Sequence, residues 1–206
     1  NPLTPIQLSA EYLKSKSKSK EDKSYADTII KKVSSIEDMV NEFSMFAKLP
    51  SPKFGTIKLN KLCSDLILFH KKSNKKIKFL STNLNKVLII KIDETQISMA
   101  ISNLIQNSIE SINENQSKNK RFNGKINLSI YLKKGNVYIK IDDNGGGLPK
   151  NFPKNKILEP YITTKKKGSG LGLAIVLKII QEHNGNFYIN DKKNGTTALI
   201  ELPKSI

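Results

Sequence analysis

GSGLGLAI at residues 168–175 is a glycine-rich turn that runs straight into an apolar helical pattern over Leu171–His183. A turn of this kind at a helix N-terminus is an anion cradle, because backbone amides and the positive end of the helix dipole face the same point. Its spacing excludes two other phosphate loops. It is not G-x-G-x-x-G after a strand, and no Lys-Ser/Thr pair follows as a Walker loop requires. Upstream, Asp143-Asn144-Gly145-Gly146-Gly147 ends a strand-like alternation over Asn136–Asp142. A carboxylate at a strand end can accept from the exocyclic amine of a purine, and Asp-Asn-Gly is equally ordinary turn chemistry. Further upstream lies NLIQN at 103–107, where Asn103 and Asn107 are i and i+4 on one face of an otherwise apolar helix. Two such amides need partners or a polar cleft. An amide carbonyl is also a hard oxygen ligand suited to magnesium carrying nucleotide phosphates. The stretch between the two glycine turns holds EPY at 159–161 and KKK at 165–167, a Lys-rich segment able to act as a lid. Gly195-Thr196-Thr197 precedes the last strand pattern.

The pattern around these segments is α/β. Leu59–Lys72 reads as a helix, Lys76–Ser81 and Val87–Ile92 as strands, and Glu94–Asn113 as a long helix with Asp93 at its N-cap. Lys125–Leu132 and Asn136–Asp142 form an antiparallel pair turning at Lys133–Gly135. Gly185 suits the C-terminal cap of the helix ending at His183, and Phe187–Asn190 and Thr197–Leu202 read as closing strands.

Residues 1–48 differ. Leu3, Ile6, Ala10 and Leu13, and then Ile29, Val33, Ile36, Val40, Phe43 and Ala47, step by three and four, which is the seam of helices packed lengthwise. The Lys/Ser run Lys14–Lys23 between them reads as an exposed, mobile turn, giving an antiparallel hairpin. One hairpin cannot bury its whole apolar surface. Either it dimerises into a four-helix bundle, or its second helix packs on the rest of the chain. Leu49-Pro50-Ser51-Pro52 breaks the helix and marks the boundary between domains over 1–50 and 51–206.

Composition bounds the partners. The chain has 206 residues and a net charge of +17, from 35 basic and 18 acidic residues. Arg121 is the one arginine. A nucleic-acid reader uses arginine forks and aromatics interleaved with basic runs, neither of which is present, so nucleic acid is not expected as a partner. A single cysteine, Cys63, rules out an intrachain disulfide and favours a reducing compartment. No apolar run approaches the ~20 residues of a membrane span. The sequence starts at Asn1, lacks a signal peptide and first shows methionine at Met39, so it is expected to be a piece of a longer protein.

In this order the motifs resemble the nucleotide-binding domain of sensor histidine kinases. NLIQN at 103–107 resembles the N box, DDNGGGLP at 142–149 the first glycine box, EPYITTK at 159–165 the F box and GSGLGLAI at 168–175 the second glycine box. HNG at 183–185 and GTTALIELP at 195–203 resemble the close of that domain. NPLTPIQLSAEYL at 1–13 is similar to the segment directly after a phosphoacceptor histidine. With DTIIKKVSSIEDMVNEFSMFAKLPSP at 27–52, the chain most resembles nitrogen-regulation kinases of the NtrY type.

The resemblance implies an α+β chain: a truncated hairpin, half of a dimeric four-helix bundle, followed by an α/β sandwich with a mixed sheet covered by helices. It implies ATP and Mg2+ as cofactors. Asp143 would read the adenine amine, with Gly145 and Gly147 allowing close approach. Asn107 with Asn103 would hold the metal. Gly168, Gly170 and Gly172 would wrap the phosphates, with Thr164, Lys165, Leu171 and Thr196 completing the nucleotide contacts. Partners would be a second copy of the chain and a response-regulator receiver domain. The location would be the cytoplasmic side of a parent anchored in the bacterial inner membrane. The acceptor histidine would fall four residues before Asn1. This chain would therefore bind ATP without phosphorylating itself and would hold no catalytic residue, with Asn1 matching a residue that assists dephosphorylation. His70 and His183 read as core or structural. Relatives that hydrolyse ATP place a glutamate at the position of Asn103, and an amide cannot be a general base. A degenerate nucleotide-binding scaffold is the remaining alternative.

Overall fold

The computed structural model describes residues 2–148, 153, 156–163, 165 and 168–204. Helices α1 (Thr4–Lys16) and α2 (Lys20–Ala47) form the N-terminal hairpin. The turn between them is Ser17–Ser19 alone, so most of the Lys/Ser run is helical rather than loop. The reason is capping. Ser19 Oγ accepts from the amides of Glu21 and Asp22, and both carboxylates lie in the first turn, where the helix dipole favours them. Ala10, Ala26 and Val33 seal the hairpin. Of the apolar seam on α2, Val33 is 4% exposed, but Ile36 and Phe43 remain 46% and 50% exposed. The last turns of α2 and the linker reach the rest of the chain, where Phe46 and Leu49 pack on the main core.

The linker after α2 is pinned. Gln96 Nε2 donates to the carbonyl of Pro50 (2.8 Å), and the amide of Lys53 donates to Asp93 Oδ2 (2.7 Å). Then follow β1 (Gly55–Lys58), α3 (Leu59–Ser73), β2 (Lys78–Thr82), β3 (Ile89–Ile92), α4 (Glu94–Lys118), β4 (Lys125–Lys133), β5 (Asn136–Asp143), α5 (Gly172–Glu182), β6 (Asn186–Asp191) and β7 (Thr196–Pro203). The expected N-cap is present, since Asp93 Oδ1 accepts from the amide of Gln96 at 2.9 Å. β1 is a strand that the sequence pattern did not reveal. It is only four residues long and pairs antiparallel with β3 apart from the main sheet.

The main sheet runs β2-β4-β5-β7-β6, with β2 parallel to β4 and the other pairs antiparallel. Along β5, Val137, Ile139 and Ile141 point into the core, while Asn136, Tyr138, Lys140 and Asp142 face outward. Helices α3, α4 and α5 cover the inner face, giving two layers around one core. Each fully buried isoleucine there contributes about 1.5–3 kcal/mol.

Gly185 is not the left-handed cap residue. That place belongs to Asn184 (φ 54°), whose amide bonds Gln181 O while the Gly185 amide bonds Ile180 O, both at 2.9 Å. This is a Schellman closure with asparagine at the turn. Gly185 is required by proximity instead, because a Cβ there would sit 2.4 Å from the carbonyl of Glu201.

Candidate functional site

A cavity of about 540 Å³ opens between α4, the end of β5, the segment before α5 and the start of β7. Its chemistry is distributed along α4. Asn103, Asn107, Ser111 and Asn115 follow at four-residue steps and all line it. The opposite face of the same helix buries Ile97, Ile101, Ile105, Ile109 and Ile112. A polar stripe on a helix anchored by that many apolar side chains is held rigidly against the opening.

Asp143 closes the back of the cavity and is 6% exposed. Its Oδ1 accepts from the amides of Gly145 (2.8 Å) and Thr196 (3.2 Å), and its Oδ2 accepts from Ser108 Oγ (3.1 Å). Burial pushes its pKa above the ordinary value, against those three hydrogen bonds and the charge of Lys192, which pull it down. Thr196 and Gly147 line the cavity beside it, whereas Gly145 lies behind the carboxylate. The amide of Gly146 donates to Ser111 Oγ (2.9 Å), tying the first glycine turn to α4.

The second glycine turn forms the opposite wall. Gly168, Gly170 and Gly172 all line the cavity, and no side chain caps the start of α5. Gly170 has φ 74°, and a Cβ there would lie 2.6 Å from the Tyr161 carbonyl carbon, so only glycine fits. Leu171 does not line the cavity. Its side chain is fully buried, and its amide is taken by Ser169 Oγ at 3.1 Å. Lys165 Nζ lies 2.6 Å from Asn107 Oδ1 and 2.5 Å from Glu110 Oε2. Thr164, Lys166, Lys167 and Asn1 lie outside the described residues.

The cavity also uses residues that the motifs did not single out. Ser108 and Ser111 lie beside and one turn beyond Asn107, and the four-residue polar step was the signal that could have found Ser111. Glu110 had no signal beyond its place near the same face. Glu42 comes from α2, lines the cavity and accepts a hydrogen bond from Ser169 Oγ. No local pattern could have shown that contact across the hairpin. Neither histidine faces this cavity. His183 is fully buried, with Nε2 accepting from the Asp93 amide (3.0 Å) and Nδ1 donating to Ile179 O (2.8 Å). His70 is buried beside Ser102 Oγ at 3.4 Å.

Residues 92–206 match the model of the histidine kinase-, DNA gyrase B-, and HSP90-like ATPase family. The chain belongs to that family. Residues 1–52 match the His Kinase A (phospho-acceptor) domain. The nitrogen regulation protein NtrY of Azorhizobium caulinodans is 38% identical over 98% of this chain, which spans 27% of that relative. A putative NtrY-like sensor histidine kinase of Rickettsia conorii is 36% identical over 98% of this chain and 33% of its own length. The chain thus corresponds to about a quarter to a third of these relatives. Among solved structures, histidine kinase ThkA in complex with the response regulator TrrA has a TM-score of 0.75 at 29% identity, covering 99% of this chain and 58% of that one.

Proposed function

We propose that this chain is the ATP-binding core, with part of the dimerisation hairpin, of a two-component sensor histidine kinase of the nitrogen-regulation type. The observation that carries this reading is the buried carboxylate of Asp143, fixed by two amides and a hydroxyl at the back of a cavity whose walls are an asparagine stripe and two glycine turns. Asp143 accepts the adenine amine. Asn103 and Asn107 face the phosphates from α4, and the turn Gly168–Gly172 wraps them. Phosphoryl transfer is largely positioning and neutralisation of charge, which is what these elements provide.

The residues fit magnesium in one way. Among the described residues no cluster of three or more His, Cys, Asp or Glu side chains could hold an ion alone. Asn107 Oδ1, already gripping the Lys165 ammonium, is a hard donor that would complete an ion otherwise held by phosphate oxygens. Asn103 would stand beside it. The metal would neutralise charge on the phosphates.

The γ-phosphoryl group passes to a histidine upstream of Asn1 and then to an aspartate of a receiver domain. Both histidines of this sequence are buried in structural roles, so residues 1–206 alone bind ATP without autophosphorylating. We divide the chain into a dimerisation unit over 1–50 and a catalytic unit over 51–206. The half-exposed stripe Ile29, Ile36, Val40 and Phe43 on α2 supports pairing with a second copy. No helix among the described residues is long and apolar enough to cross a membrane. By its resemblance to NtrY-type kinases, we place the parent in the inner membrane with this part on the cytoplasmic side.

Calorimetry with Mg-ATP tests the reading. The wild-type chain should bind, and Asn107→Asp, which sets a carboxylate against the phosphates, should abolish binding without loss of fold. Equal heats for both proteins would overturn the site.

A further inference from the structure

Acidic residues are missing from two stretches of the chain. Residues 66–92 and 115–141 each carry seven basic side chains and no Asp or Glu. The fold brings these stretches together at one pole, where α3 and α4 end and β2 and β4 begin. Gln116 Nε2 donates to the carbonyls of Lys76 (3.4 Å) and Phe122 (3.3 Å), and the Lys78 amide donates to the Gly124 carbonyl (2.8 Å). Lys78 also stands opposite Lys125 in the parallel register of β2 and β4. Lys71, Lys72, Lys75, Lys76, Lys118, Lys120 and Arg121 therefore share this end of the fold. Among the described residues none of them is in an ion pair; those pairs use Lys14, Lys140, Lys165 and Lys192.

Two apolar side chains stand out beside this charge. On the last turns of α3, Phe69 is 68% and Leu68 54% exposed. Lys72 follows them by three and four positions, so the three are neighbours on the helix surface. Asp65, one turn back, is the nearest acidic residue along the helix. The dipole at the C-terminal end of α3 accounts for Lys71 and Lys72. It accounts neither for Lys75 and Lys76, which lie beyond the Asn74 cap, nor for a phenylalanine left in water. Lys72, Lys75 and Lys76, with Asn113 of α4, line a cleft of about 330 Å³ next to them.

We propose that this pole docks on an anionic lipid surface. Phe69 and Leu68 enter the boundary between headgroups and acyl chains, the lysine stems lie along it, and the ammonium groups reach the headgroup phosphates. Lysine is a compact charge that needs no fixed partner geometry, which suits headgroups that move. Free phosphate or a nucleic-acid backbone would match the charge but leave both apolar side chains in water. A membrane-anchored parent would keep the pole within reach of a bilayer, and the contact itself is independent of nucleotide.

Co-sedimentation of the full chain with vesicles tests the proposal. Wild type should bind phosphatidylglycerol vesicles at low salt, release them at about 0.5 M salt and ignore pure phosphatidylcholine. Replacing Lys71, Lys72, Lys75 and Lys76 together by glutamine should cut partitioning at least ~tenfold. Phe69→Ser, which removes no charge, should cut it by roughly five- to tenfold. A charge-matched control replaces Lys16, Lys18, Lys20 and Lys23 of the hairpin by glutamine and should stay within about threefold of wild type. Equal losses in the two four-lysine variants, or none in the first, would overturn the assignment to this pole. Tighter binding to duplex DNA than to the anionic vesicles at the same salt would overturn the lipid as its partner. None of the substituted residues lines the nucleotide cavity, so all variants should keep the wild-type melting temperature and heat of Mg-ATP binding, and failure here leaves the ATP reading untouched.

Discussion

Replacing Asp143 by asparagine separates binding from folding at a single oxygen. The asparagine carbonyl can stand where Oδ1 stands and still accept from Gly145 and Thr196, at 2.8 and 3.2 Å in the wild type. Its NH2 group then occupies the Oδ2 position and can donate to Ser108 Oγ, now acting as acceptor. The internal network survives, so stability should change by no more than about 1 kcal/mol, or ~3 °C in Tm for a chain of this size. Its pH dependence should flatten. Burial raises the Asp143 pKa in the fold above its unfolded value, so as pH falls the folded state takes up the proton first. The ionised carboxyl therefore costs stability above the folded pKa, and that cost is relieved below it; asparagine removes this slope.

Binding should respond very differently. The adenine amine loses a charged acceptor, about 1.5–3 kcal/mol, and meets a donor in its place, about 1–3 kcal/mol more. The two together come to at least about 2.5 kcal/mol, a loss of roughly 70-fold or more in affinity. Calorimetric titration with Mg-ATP, alongside thermal melts of both proteins, measures the two effects together. A variant that melts like the wild type yet keeps ATP affinity within threefold would refute the assignment of Asp143 to the base.

Two other perturbations probe the surroundings. Glu42→Gln removes a negative charge that α2 brings to the phosphate end of the cavity through Ser169, and triphosphate affinity should rise two- to fivefold at low salt, the ~0.5–1 kcal/mol of a partly exposed charge; a fall in affinity would sink the idea. His183→Ala removes a neutral imidazole that bonds both the Asp93 amide and Ile179 O, and should cost about 3 kcal/mol in urea denaturation. Burial lowers the folded pKa of His183, so the unfolded chain takes up the proton first, and wild-type stability should decline below about pH 6.5. The alanine variant should lose that part of the decline, and an unaltered slope would contradict the role given to His183.

The chemistry of the cavity was legible before the fold because it sits in continuous segments. The i, i+4 spacing of Asn103 and Asn107 needs only helical geometry, and the glycines of the two turns need only their freedom from side chains. Where neighbours decide, the pattern was silent or misleading. The four residues of β1 carry too little alternation to announce a strand and exist because β3 pairs with them. The Lys/Ser run looked like loop because its side chains are soluble, while Ser19 capping drew it into helix. Gly185 looked like a cap, but its real constraint is the carbonyl of Glu201 on another strand.

Local periodicity and turn chemistry thus determined the element types, the helical hairpin and the order of the phosphate- and base-facing segments, since these depend on residues within a few positions of one another. Only the tertiary structure decided that Ser108, Thr196 and Gly145 meet on one carboxylate, that Lys165 bridges Asn107 and Glu110, and that Glu42 of the hairpin touches the glycine turn. Those contacts join positions 35 to 127 residues apart, apart from the local Gly145 bond, and burial of the core is what brings them within hydrogen-bond reach.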